Sequence, residues 1–198
     1  MTLVYATAVD DIAFMVSDTL LTSERDRDDP SVNRTHALKI HILNGNTAVA
    51  FAGNADTALR LIGKLNIDQI NDPTADVLGR LSEGCRRASM EAQSPGDEIE
   101  FLVMQLGLEG RKLARIVKDS IFECERAYIG DADEYKRMMG LRVAYTPPTH
   151  QLVQQPDGSF KEVPFEANPG EIEFHEISSA MQALARCATT PTADEGLL

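Results

Sequence analysis

Asn44-Gly45-Asn46 separates two short runs of strand-favouring residues, Ala37 to Leu43 and Thr47 to Ala52. Asn-Gly is among the strongest short turn signals, so this segment predicts an antiparallel strand pair. A second pair precedes it, with Leu3 to Val9 and Ile12 to Ser17 flanking Asp10-Asp11. Further along, Ile99 to Leu106, Lys112 to Val117 and Ile121 to Ile129 are joined at Gly107 to Gly110 and at Lys118-Asp119-Ser120. They predict an antiparallel meander. Strands connected this tightly leave no room for the crossover helices of a doubly wound parallel sheet. The fold class expected is therefore α+β.

Helical spacing fills the intervals. Ala55, Ala58, Leu59, Ile62 and Leu65 recur on one face, with Asn54 placed to cap them, until Asp72-Pro73-Thr74 interrupts. Val77, Leu78, Leu81, Cys85, Ala88 and Met90 predict a second helix, with Thr74 as its cap and Asp76 in its first turn. It ends before Ser94-Pro95-Gly96. Ala132 to Met139 reads as a short helix, and Ile177 to Ala188 as a longer one with Ile177, Met181, Leu184 and Cys187 on one side. Between these two, residues 143–172 hold Gln151 to Gln155 and Phe160 to Val163 around Pro156-Asp157-Gly158, which predicts a protruding hairpin arm. Residues 23–35 form a charged loop and 189–198 a frayed tail. A chain of 198 residues, 43% hydrophobic, can bury one sizeable core, so residues 1–198 are expected to form a single domain.

Charge narrows the partners. A formal net charge of −12 repels phosphate backbones and anionic lipid, so neither nucleic acid nor membrane is expected. No apolar run approaches the roughly 20 residues needed to span a bilayer, and no export signal is evident, so the expected location is cytoplasmic. Three cysteines, Cys85, Cys124 and Cys187, are too few and too scattered for a disulfide framework or a zinc site. No metal or cofactor is expected.

Thr2 follows the initiator methionine and is small enough to permit its removal, which would free a threonine α-amine. That amine has an ordinary pKa of roughly 7.7 to 8.0, so one residue can supply both a hydroxyl nucleophile and its general base. By position alone Thr2 reads more simply as an unremarked second residue. Lys39 lies between Leu38 and Ile40, so alternation puts it on the opposite face with Ala37 and His41. It is either a solvated charge or a buried ammonium with a partner, and Asp18, closing the run Met15-Val16-Ser17, is positioned to be that partner. Phe51-Ala52-Gly53-Asn54-Ala55-Asp56 passes from strand through glycine into a helix. Gly53 there is either a turn residue of positive φ or a backbone donor for an oxyanion.

Thr2, Met15-Val16-Ser17-Asp18, Ala37-Leu38-Lys39-Ile40 and Ala50-Phe51-Ala52-Gly53-Asn54-Ala55-Asp56 resemble the ordered motifs of proteasome β subunits and their bacterial relatives, which are N-terminal-nucleophile hydrolases. The resemblance is close over the first third and continues in element order to about Ala188. It implies a four-layer αββα sandwich of two antiparallel sheets flanked by helices, short of the last strands with which relatives complete their sheets. It implies Thr2 as nucleophile, Lys39 and Asp18 beside it, and Gly53 as oxyanion donor. Tyr128-Ile129-Gly130-Asp131-Ala132 resembles the family's glycine-serine-glycine segment, with Asp131 where a serine normally supports the terminal amine. By the same match Thr22 and Ala55 would bind an extended substrate backbone, and Leu21, Ala37, His41 and Phe51 would surround the first specificity pocket. The implied substrate is a peptide or another amide, and the implied state a homo-oligomer. The alternative within the same family is a catalytically inactive subunit that serves assembly. Two departures stand out: the loop between Asp18 and Lys39 is longer than the family's usual connection, and its later aspartate has no counterpart near Arg186-Cys187.

Overall fold

A computed structural model of the protein describes residues 3–9, 12–18, 20–21, 35–72, 75–92, 98–107, 110–142, 149–165 and 169–189. In chain order the elements are β1 (Leu3–Val9), β2 (Ile12–Ser17), β3 (Leu20–Leu21), β4 (Thr35–His36), β5 (Ile40–Asn44), β6 (Thr47–Gly53), α1 (Ala55–Asn71), α2 (Val77–Glu91), β7 (Ile99–Gly107), β8 (Gly110–Val117), β9 (Ser120–Cys124), β10 (Arg126–Gly130), α3 (Ala132–Leu141), β11 (His150–Gln154), β12 (Phe160–Pro164) and α4 (Pro169–Thr189). The protein is α+β, and every strand pairing among these elements is antiparallel.

Two larger sheets organise the core, one of order β10-β1-β2 and one of order β5-β6-β7-β8-β9. Alternation along each strand assigns its two faces different tasks. Val49, Phe51, Phe101, Val103 and Ile116 pack with Ala58, Ile62 and Leu65 of α1 and Val77, Leu81 and Cys85 of α2. The alternate residues of the same strands, Ala50, Ala52, Leu102, Met104 and Leu113, face the other way and pack on Val4, Ala6 and Ile129 of the three-stranded sheet. That sheet's opposite face, through Leu3, Tyr5, Phe14 and Val16, receives Met138 of α3 and Ala180 and Ala183 of α4. Full burial of a Phe, Leu or Ile side chain contributes about 1.5–3 kcal/mol. With Leu3, Val4, Tyr5, Ala6 and Thr7 all buried, β1 is held from both faces.

The hairpin β5–β6, the hairpin β1–β2, the meander β7–β8–β9 and the arm β11–β12 lie where the sequence predicts them. Several details differ. The run Ile121 to Ile129 is not one strand: it breaks at Glu125, whose carbonyl accepts the Ala8 N–H at 2.7 Å and the Thr7 hydroxyl at 3.3 Å, and the chain passes from one sheet to the other there. β5 begins at Ile40, so Ala37, Leu38 and Lys39 precede it instead of lying within it. The cap of α2 is Asp76, which accepts the Gly79 N–H at 3.0 Å; Thr74 lies outside the described residues. Pro169-Gly170 opens α4 instead of ending the arm, as suits a residue whose fixed φ is helical and whose missing N–H has no partner in a first turn. On α4 it is Ala180 and Ala183 that are buried, while Met181 is exposed, because small residues let the helix approach its neighbours closely. Thr35, placed at the end of the charged loop, belongs to β4, and Thr189, placed in the tail, to α4. The rest of those two segments, and the Asp10-Asp11 turn, lie outside the described residues.

Candidate active site

Lys39 stands immediately before β5, its carbonyl accepting the Phe51 N–H of β6 at 3.2 Å. Its neighbour Leu38 is 73% exposed, and Lys39 itself is fully buried, so the alternation inferred from the sequence holds although the strand proper starts one residue later. Its ammonium nitrogen lies 2.5 Å from Oδ1 of Asp18, which follows β2 in the other sheet. A buried ammonium is costly unless paired. Burial lowers the pKa of Lys39 below its ordinary value of 10.5, and the hydrogen bond and charge of Asp18 oppose that shift without cancelling it.

The same Oδ1 accepts the backbone N–H of Leu3 at 3.3 Å, and the Asp18 N–H donates to the Leu3 carbonyl at 3.2 Å. Asp18 thus ties an ammonium from the five-stranded sheet to the first residue of β1. Thr2 lies outside the described residues, but it is bonded to Leu3, and consecutive Cα atoms are about 3.8 Å apart. The Asp18 side chain remains 21% exposed, so this carboxylate sits at the rim of the sandwich with solvent beside it.

Gly53 ends β6, two residues beyond Phe51, at φ 92°. A Cβ there would fall 1.9 Å from the Glu98 carbonyl oxygen, so both the left-handed backbone and the close approach of β7 require glycine. Asn54 then caps α1 by accepting the Thr57 N–H at 3.0 Å, as predicted. Asp131 caps α3: its Oδ1 accepts the N–H groups of Asp133 and Glu134 at 2.9 and 3.1 Å. It directly follows Gly130, the register partner of Leu3.

Of the predicted substrate-binding residues, His41 and Phe51 come together, their rings stacked with centroids 6.0 Å apart. His41 pairs with Val49 and so shares the face that meets α1, where Ala55 in the first helical turn packs on the same cluster. The buried His41 Nε2 has no hydrogen-bond partner among the described residues. Ala37 is half-buried two residues before Lys39. Leu21 contributes its backbone to the β3–β4 ladder opposite Thr35; its side chain, and Thr22 altogether, lie outside the described residues.

Sequence reasoning passed over Glu100 of β7 and Arg115 of β8. Arg115 Nη2 donates to Glu100 Oε1 at 3.0 Å, and Glu100 Oε2 accepts the Gly130 N–H at 3.2 Å. Glu100 is a lone charge in its strand, within Ile99-Glu100-Phe101-Leu102, and Arg115 interrupts the apolar run Leu113-Ala114-Arg115-Ile116; those interruptions were the available signal.

Other features do not compete. A groove of about 400 Å³ between α1 and α2 contains none of the predicted site residues, and its lining charges Arg80 and Asp68, and Arg87 and Glu83, pair with each other. Burial pushes the Cys85 thiol up to about 12 and raises that of Cys124, the opposite of nucleophilic activation. Among the described residues no group of three or more His, Cys, Asp or Glu side chains could hold a metal ion, and no helix is long and apolar enough to cross a membrane.

Compared with known proteins, the chain matches no family model and shows no significant similarity to a curated protein. Its functional reading therefore rests on residues and geometry.

Proposed function

We propose that this protein is a threonine-type N-terminal-nucleophile hydrolase that cleaves peptide or other amide bonds through an acyl-enzyme on Thr2 after Met1 is removed. One observation carries the reading: a single oxygen of Asp18 accepts from both the buried Lys39 ammonium and the N–H of Leu3, the residue bonded to Thr2. Composition does not require a fully buried lysine at this point, and a packed hydrophobe would be no less stable there.

In the proposed reaction the α-amine of Thr2 takes the proton from its own Oγ as Oγ attacks the substrate carbonyl carbon. The Lys39 ammonium favours a neutral amine and an incipient alkoxide. The Gly53 N–H donates to the oxyanion of the tetrahedral intermediate. Collapse breaks the C–N bond, the departing amine takes the proton held by the Thr2 ammonium, and an ester remains on Oγ. Water, deprotonated by the same α-amine, then attacks that ester; the C–Oγ bond breaks, the ammonium returns its proton to Oγ, and the acid is released. Continuing the β1–β10 register by one residue would set Thr2 opposite Asp131, whose second carboxylate oxygen would support the amine. Peptide would bind as an added strand near Thr22 and Ala55, with Leu21, Ala37, His41 and Phe51 around its side chain.

The order of packing supports the same reading. Helices α1 and α2 cover the outer face of the five-stranded sheet, the two sheets face each other, and α3 and α4 cover the three-stranded sheet, as the αββα sandwich of this class requires. We further propose a homo-oligomer in the cytoplasm, with the arm as a contact. A two-stranded ribbon is marginal alone in water, and Leu152 and Phe160 on this one are exposed.

Reaction with a peptide epoxyketone tests the proposal. On a sample whose intact mass verifies loss of Met1, one adduct is expected per chain, mapped to Thr2 by peptide mass spectrometry. Absence of an adduct on that sample would overturn the assignment.

A further inference from the structure

We infer that Glu100 and Arg115 form a second positioning pair for the same site, tying the end of β10, the strand beside the start of β1, to the five-stranded sheet as Lys39 and Asp18 do on the other side of β1. This inference rests on the hydrolase reading.

Leu3 directs both its N–H and its C=O to Asp18. In an antiparallel ladder both groups of a residue point to the same side, so Leu3 and Gly130 form a pair whose own hydrogen-bonding groups face away from each other. The Gly130 N–H is thereby turned outward from β1, at the edge strand of the three-stranded sheet, and meets Glu100. Gly130 is exposed, so water would satisfy that donor. The bond to a half-buried carboxylate on the other sheet therefore fixes a direction; it does not rescue an orphan group.

Arg115 makes the carboxylate rigid. Its guanidinium bonds Glu100 and lies 5.4 Å from the ring centroid of Tyr128, two residues before Gly130, so the pair grips β10 at two points. Beyond the grip, Gly130 turns at φ 95° into Asp131 and α3. The start of β1 is thus bracketed by two ion pairs: Asp18 with Lys39 on the β2 side, and Glu100 with Arg115 on the β10 side. In each, the carboxylate accepts a backbone N–H from the matched residues Leu3 and Gly130.

The test measures kinact and KI for the epoxyketone on Met-free wild type, Glu100→Ala and Glu100→Gln, each checked for folding by circular dichroism. Misplacement of the reacting groups is expected to lower kinact of Glu100→Ala about 10- to 100-fold with KI unchanged. Glu100→Gln keeps an acceptor for Gly130 and is expected to remain within about threefold of wild type. Wild-type kinact in Glu100→Ala, or equal loss in both variants, overturns the positioning role while leaving the hydrolase reading intact. An unreactive wild type overturns both. Should Glu100→Ala not fold, Arg115→Met releases Glu100 from its anchor: slower kinact at constant KI supports the pair, and wild-type kinact overturns it.

Discussion

Asp18 grips Leu3 at both of its backbone polar groups, accepting its N–H at 3.3 Å and donating to its carbonyl at 3.2 Å. The carbonyl contact prolongs the β1–β2 ladder by one residue, whereas the N–H contact replaces a backbone acceptor with a carboxylate. The end of β1 therefore carries a charge-assisted bond where a plain ladder would have a neutral one. The Lys39 ammonium shares the same oxygen, so the start of β1 and the core lysine are held by one group.

Lys39→Met should separate reactivity from stability. Removing the ammonium is expected to slow epoxyketone capture by about 10²–10³-fold, the scale of a lost electrostatic stabiliser. Asp18 stays partly solvated and keeps the Leu3 N–H, so no buried charge is stranded, and unfolding free energy by urea titration should change by less than about 2 kcal/mol or rise. A large loss of stability would mean that the pair is structural.

The sign of the pH dependence follows from the lowered pKa of Lys39. Between that folded value and the ordinary 10.5, the unfolded chain binds more protons than the folded one, so this residue's contribution to stability rises with pH. Below the folded value the cost of burying the ammonium is fully present. Wild type should therefore gain stability relative to Lys39→Met as pH is raised from neutral towards 10.5, measured by parallel urea titrations in which the other groups cancel.

Gly53→Ala places a methyl group against the Glu98 carbonyl and holds alanine at a left-handed φ. The strain is expected to cost about 1–3 kcal/mol or more, read as a lower melting temperature. Gly45→Ala, where no atom lies within 4 Å of the added carbon, should cost less and serves as the comparison.

Asp131 has a structural duty as a helix cap and a proposed one at the Thr2 amine. Asp131→Ala is expected to cost about 1 kcal/mol through loss of the cap. Asp131→Asn can still cap, so its stability should match wild type within about 0.5 kcal/mol. If the carboxylate supports the amine, removing its charge lowers the amine pKa, and the rise of the capture rate with pH should move to lower pH in the Asn variant. An unchanged profile would confine Asp131 to capping.

The parts of the fold set by nearby residues were legible in the sequence. Asn44-Gly45-Asn46 marks its turn and Asn54 its helix start, whereas alternation set Lys39 apart from Leu38 without deciding which of the two is buried. What was not legible depends on distant groups. No glycine or proline marks the break at Glu125; it is made by Thr7 and Ala8, more than a hundred residues earlier. Pro169 reads as a terminator by type and acts as an initiator by position. Glu100 and Arg115 look like stray charges until β10 is laid beside them. The site was legible where its residues fall in ordered motifs, and illegible where two sheets had to meet first.

The layer between the sheets combines Leu102, Met104, Leu113 and Ile129 with three buried alanines, Ala6 on one side and Ala50 and Ala52 on the other. Lys39 belongs to the side of one sheet and Asp18 to the other, so a shift of one sheet against the other would part the ammonium from the carboxylate. A bulkier residue at Ala6, Ala50 or Ala52 would act as a wedge far from the reacting atoms and be felt at that pair.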